Sequence, residues 1–221
     1  NTVYHEARHA EQAFRIARML VGEGKAPEDI TSDLPVPRVV AEKAALAPLK
    51  NTKDTAKEFA EAKDWYAVMG GIHRKYSRNI TSYSTKAFDA SLVIENTTDN
   101  NLDSSKQKVK EFMKELEDEI IPFIESETQR VKGISDPTDG DKNILEHLEK
   151  ITTTSTDVII QWVDSEAATN AAQLKMMERP MNQLWMSLFY AYKDLAAEKD
   201  AWEVGDEAGK KFENKQPEPV K

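Results

Sequence analysis

Apolar positions recur at helical spacing along most of the chain. From Val3 to Val21, residues Ala10, Phe14, Ala17 and Val21 share one stripe, with Ile16 and Leu20 beside it. That spacing predicts an amphipathic first helix, which Gly22 and Gly24 end. Residues 25 to 37, with prolines at 27, 35 and 37, read as a loop. Pro37 suits the first turn of a short second helix that ends near Pro48. A longer pattern runs from Thr52 to Tyr76 around Phe59, Trp65, Tyr66, Met69 and Ile72, with Gly70-Gly71 as its weak point.

Further along, the signal thins before it recovers. Residues 77 to 94 are rich in Ser and Thr, and Ile80, Tyr83, Phe88 and Leu92 fit a helix only in part. The polar tract Asn96 to Ser105 reads as a connection. Val109, Phe112, Met113, Leu116, Ile120, Phe123 and Ile124 then mark another amphipathic helix, and Ser135 to Asp141 a break. Helices are expected at 143–166 and 181–204, the first weakened by the β-branched run Thr152 to Thr156. No segment alternates convincingly as a strand does. The expected fold class is therefore all-α, with bundle-like or orthogonally packed helices. Residues 1–209 are expected to form a single helical domain, with a connection near 96–105, and 210–221 a disordered tail.

Charge and composition narrow the function classes. The chain carries 39 Asp and Glu against 30 Lys and Arg, a net charge of -9, which argues against a nucleic-acid partner. Arg8, Arg15 and Arg18 form a small local basic patch. The longest uncharged stretch, Pro180 to Tyr192, is too short for a membrane span. No basic leader followed by an apolar segment is visible, and the chain does not begin with Met. Asn1 is accordingly expected to be a product of processing or the start of part of a longer chain. Cysteine is absent, so any metal must be held by His and carboxylate.

One motif in the first helix carries chemistry: His5-Glu6-Ala7-Arg8-His9. Positions i and i+4 lie one turn apart on the same helix face, so His5 and His9 can reach one ion. Glu6 sits at the edge of that face, within reach of an attacking water. Neutral imidazole suits zinc, and a carboxylate base takes the proton from water and passes it to a leaving amine. The plain alternative is an exposed helix end with two solvated His and a Glu. Two His leave a zinc ion short of a protein ligand. His73 and His147 are candidates by type, though each reads more naturally as an ordinary surface or core His. Glu198 and Asp200 stand in the segment Tyr192 to Gly205, which by residue type alone reads as a solvated acidic helix face.

Both segments resemble a family of bacterial zinc metallopeptidase domains found in polymorphic toxins and in cargo of contractile injection systems. The first signature of that family is similar to Tyr4 through Gln12, with Phe14 and Arg15. The second is similar to Tyr192 through Gly205, with Ala196 where the family has Pro. The resemblance covers these two short blocks only. It implies zinc as cofactor, with His5 and His9 as ligands, Glu198 as third ligand, Asp200 in reserve, and Glu6 as catalytic base. It also implies a protein or peptide substrate, delivery machinery or a parent toxin segment as partner, and secretion or delivery into a target cell from the producer's cytoplasm. Zinc peptidases of this kind place a sheet before the motif helix, and only four residues precede His5. The sheet is expected either in a longer chain or not at all.

Three neighbours of the motif carry double readings. Arg8 could pair with a metal-ligating carboxylate, and Glu11 could orient an imidazole as a hydrogen-bond acceptor. Equally, Arg8, Glu11 and Gln12 could form a surface network on one helix. Tyr4, Tyr192 and His73 are the candidate donors to a developing oxyanion. The competing functions are a helical interaction or carrier module of a toxin and a metal site that only pins the first helix to the last.

Overall fold

Gly and Pro punctuate a chain that otherwise favours helix, and a computed structural model describes residues 2–213. The helices are α1 (Thr2–Gly22), α2 (Pro27–Asp33), α3 (Arg38–Ala45), α4 (Ala56–Met69) and α5 (Arg74–Glu95). They continue as α6 (Leu102–Glu115), α7 (Ile121–Lys132), α8 (Asp139–Ser165), α9 (Ala171–Leu174), α10 (Glu178–Lys193) and α11 (Ala196–Glu213). No strand occurs among the described residues, so the fold is all-α. Among the described residues no helix is long and apolar enough to cross a membrane.

Several boundaries differ from the expected ones. The loop expected at 25–37 contains α2, which starts on Pro27, has Glu28 and Asp29 in its first turn, and buries Ile30 completely. The tract 96–105 includes a 3₁₀ turn at Asp99–Asn101 and the start of α6. Between α6 and α7 the helix widens into a π turn over Leu116–Ile120. Pro122, in the first turn of α7, cannot donate to the preceding turn, and the widened turn lies just before it. The helix expected at 181–204 is two helices, because the chain breaks after Lys193 and buries Leu195. Helix α11 includes residues 210–213, which were expected in the tail; 214–221 lie outside the described residues.

The chain gathers into two compact units, one formed by residues up to Ser77 and from Lys193 onward, the other by Arg78–Tyr192. In the first, α1 packs against α3, α4 and α11, and α11 also packs against α4. Ile16, Ala17, Leu20, Ala41, Ala62 and Ala201 are fully or almost fully buried there. At the end of α1 the segment 47–50 crosses the helix so closely that a Cβ on Gly22 would lie 2.1 Å from the Leu49 carbonyl oxygen. Leu49 N–H donates to Arg18 O at 2.8 Å and fixes that crossing. Gly24 then adopts φ 96°, a left-handed value that ends the helix at little cost for glycine alone.

The second unit shows why residues 77–94 gave a weak pattern. They belong to α5, with Ile80, Ala87 and Ile94 fully buried. Tyr83 meets Phe123 edge-on at 5.6 Å, and Phe88 lies 4.9 Å from Trp185. Thr85 turns its hydroxyl back to Thr81 O at 3.2 Å, so it satisfies itself within the helix. Thr152, Thr153, Thr154 and Thr156 of α8 do the same, and the helix continues through them.

Candidate metal centre

The buried face of α1 is not the purely apolar stripe expected. Ala10 is exposed and Phe14 half-buried, whereas His5, Gln12, Ile16, Met19 and Leu20 are buried, with Ala17. His5, His9, Gln12, Ile16 and Met19 recur at helical spacing, and α1 packs closely on α11. Three polar side chains, His5, His9 and Gln12, thus lie on this face and find partners on α11.

Helix α11 begins at Ala196, so Glu198 lies in its first turn. His5 Nε2 and His9 Nε2 are 3.1 Å apart. Oε2 of Glu198 lies 3.5 Å from the first and 3.4 Å from the second. The three side chains form a group that could hold a metal ion. An ion about 2.0–2.2 Å from each donor in tetrahedral geometry needs donor separations of roughly 3.3–3.6 Å. The observed triangle is close to that. Two imidazole nitrogens and a carboxylate oxygen meeting in a largely buried space also repel one another unless a proton or a cation sits among them. His5 is 8% exposed, and the side chains of His9 and Glu198 are 22% and 16% exposed.

A second layer of side chains sets the ring positions. His9 Nδ1 is 2.8 Å from Gln12 Oε1. Gln12, fully buried, donates from Nε2 to Ala197 O at 2.8 Å and to Asp200 Oδ2 at 2.6 Å. The His5 ring packs against Trp202 at 4.8 Å, and its Nδ1 is buried with no protein partner. Arg8 holds Asp200 and also donates to Glu11, which in turn takes Arg15. Both guanidinium groups lie over the Trp65 ring, 5.3 and 5.9 Å from its centre.

This arrangement divides the expected roles. Arg8 pairs with a carboxylate of α11, but with Asp200 rather than Glu198. Glu11 bridges two arginines, and Gln12 takes the place beside the imidazole. Nothing in the residue type of Gln12 marked it for that role; its buried register on α1 is the signal that could have. Two members of the basic patch, Arg8 and Arg15, are ion-paired, and Arg18 donates to Ala47 O. The group includes neither Asp200, His73 nor His147. His73 is buried before α5, and His147 lies on α8 in the other unit. Tyr4 is exposed on α1, and Tyr192 ends the other unit.

Electrostatics follow the same partners. The hydrogen bond to Glu198 pushes the His9 imidazole above its ordinary value, against burial, with Gln12 adding to it; the charge of Glu6 contributes least. Glu6 itself is exposed beside the group. Burial disfavours an ionised Asp200, but hydrogen bonds from Arg8 and Gln12 outweigh it and hold the carboxyl below the usual range. Compared with family models, curated proteins and solved structures, the chain gives no match.

Proposed function

We propose that this chain is a zinc-dependent peptide hydrolase, a toxin or effector domain that leaves the producer's cytoplasm and acts in a target cell. One observation carries the reading: His5, His9 and Glu198 converge at close to the separations a single ion needs, with Glu6 one residue from the first ligand. Two imidazoles and a carboxylate are a donor set that catalytic zinc sites use, and without cysteine no thiolate competes. A zinc ion, when bound, supplies Lewis acidity that polarises a peptide carbonyl and makes water acidic enough to lose a proton near neutrality. Glu6, exposed and on the same helix, would take that proton and deliver it to the leaving amine. Delivery into a target cell and a parent toxin or delivery machinery as partners rest on the sequence resemblance.

The test pairs metal content with turnover. Zinc-loaded protein is incubated with a peptide library, and new amino termini are identified by mass spectrometry. Wild type is expected to cleave, while Glu6→Gln keeps its zinc and loses activity by roughly 10²–10⁴-fold or more. Stoichiometric zinc without any cleavage would overturn the peptidase reading.

A second reading has its own support. The group joins α1 to α11, helices from the two ends of the described chain, and His5 is almost fully buried. A metal held there would also pin those helices together. In that case chelation lowers the melting temperature and no variant changes a turnover that is not there.

A further inference from the structure

We infer that Gln12 is the positioning residue of the metal centre: it fixes His9 in the tautomer protonated on Nδ1, so that Nε2 faces the ion with a free lone pair. The inference rests on the metal centre proposed above and deepens it. The orientation of the Gln12 amide is not a free choice. Ala197 O and Asp200 Oδ2 can only accept at the pH values where Asp200 is ionised, so the end of Gln12 that meets them must be its NH₂ group. The end that meets His9 is then the oxygen, and His9 Nδ1 must donate to it. Flipping the amide would set its oxygen against two acceptors and leave them without their donor in a fully buried place.

The same side chain sets register as well as tautomer. Ala197 precedes Glu198, so the bond from Gln12 to Ala197 O ties the backbone beside the carboxylate ligand to the helix that carries both imidazoles. The two His are therefore held differently. His9 is oriented by a hydrogen bond that leaves one nitrogen free, whereas His5 is oriented by ring packing against Trp202. An outer hydrogen bond of this kind typically changes metal affinity by about 10–100-fold.

The test uses wild type, Gln12→Leu and Arg8→Met. Leu fills similar space and cannot accept from His9. Met at 8 removes the pairing that docks α11 on α1 but leaves Asp200 accepting from Gln12, so it reports on helix docking. Nitrogen NMR of the metal-free wild type at alkaline pH is expected to show the His9 proton on Nδ1. Zinc affinity, measured by competition with a chromophoric chelator, is expected to fall about 10–100-fold in Gln12→Leu and far less in Arg8→Met. A proton on Nε2 in wild type overturns the inference even if Gln12→Leu fails to fold. So does Gln12→Leu binding zinc as tightly as wild type, or Arg8→Met losing as much affinity. A wild type that binds no zinc sinks the metal reading as a whole, which separates the two failures.

Discussion

Arg8 grips Asp200 in parallel, Nε to Oδ2 at 2.7 Å and Nη2 to Oδ1 at 2.9 Å, across 192 residues of sequence. This bidentate pair ties α1 to α11 without any metal. Both side chains are partly screened from water, 16% and 26% exposed, so removing one leaves the other poorly solvated. Asp200→Ala, which also strips an acceptor from Gln12, is expected to cost about 2–3 kcal/mol in urea denaturation. A loss below about 0.5 kcal/mol would mean that the pair behaves as an ordinary surface contact.

The pH dependence of stability should reverse sign when zinc is added. In metal-free protein His9 has a raised pKa, chiefly through Glu198, so folding gains from its protonation. That gain is complete below the unfolded value of about 6.5 and is lost as pH rises through the raised folded value. Zinc needs the neutral ring, so its binding strengthens over the same window. Melting curves of wild type against His9→Gln should thus show a metal-free advantage that shrinks with rising pH. The increment that zinc adds to wild type should grow. An increment independent of pH across that window would remove His9 from the ligand set.

The candidate site was legible because its chemistry is local in sequence. The i, i+4 pair His5 and His9 lies within one helix, whereas Glu198 reads by residue type as a solvated acidic position and was singled out only through the resemblance of its segment. Bringing them together is a tertiary event that no local pattern encodes. The stripe of α1 was misplaced for a related reason: hydrophobicity alone rotates the face toward Ala10 and Phe14, whereas polar Gln12 is buried against partners on α11. Helix α5 was obscured by Ser and Thr, whose low propensity is overridden by the burial of Ile80, Ala87 and Ile94. The break after Lys193 was hidden because both flanking segments carry good helix formers and the chain there contains neither Gly nor Pro.

Glu198 supplies the negative charge that faces both imidazoles, through one oxygen. Glu198→Gln keeps the shape and discards the charge. It is expected to weaken zinc binding more than about 100-fold, beyond what an outer hydrogen-bond partner is worth. At a zinc concentration near 100 times the wild-type Kd, wild type gains about 2.7 kcal/mol of stability, and the variant should gain well under half of that. Calorimetric titration and melts with and without chelator measure both effects. Equal zinc affinity in the variant would show that the carboxylate is not a ligand.

Gly22→Ala sets helix propensity against packing. At an open site in a helix, Ala is better than Gly by about 1 kcal/mol. Here the added Cβ would meet Leu49 O at 2.1 Å, Leu49 C at 2.8 Å and Lys50 N at 3.3 Å, all of them backbone atoms. That backbone is held in turn by the bond from Leu49 N–H to Arg18 O and by Arg18 Nε donating to Ala47 O at 2.6 Å. It cannot retreat without giving up hydrogen bonds, so overpacking should win, with a net loss of about 2–3 kcal/mol. His5 and His9 stand near the other end of α1, and zinc affinity of the folded variant should stay close to that of wild type. A variant more stable than wild type in chemical denaturation would mean that the segment 47–50 does not cross α1 as closely as described.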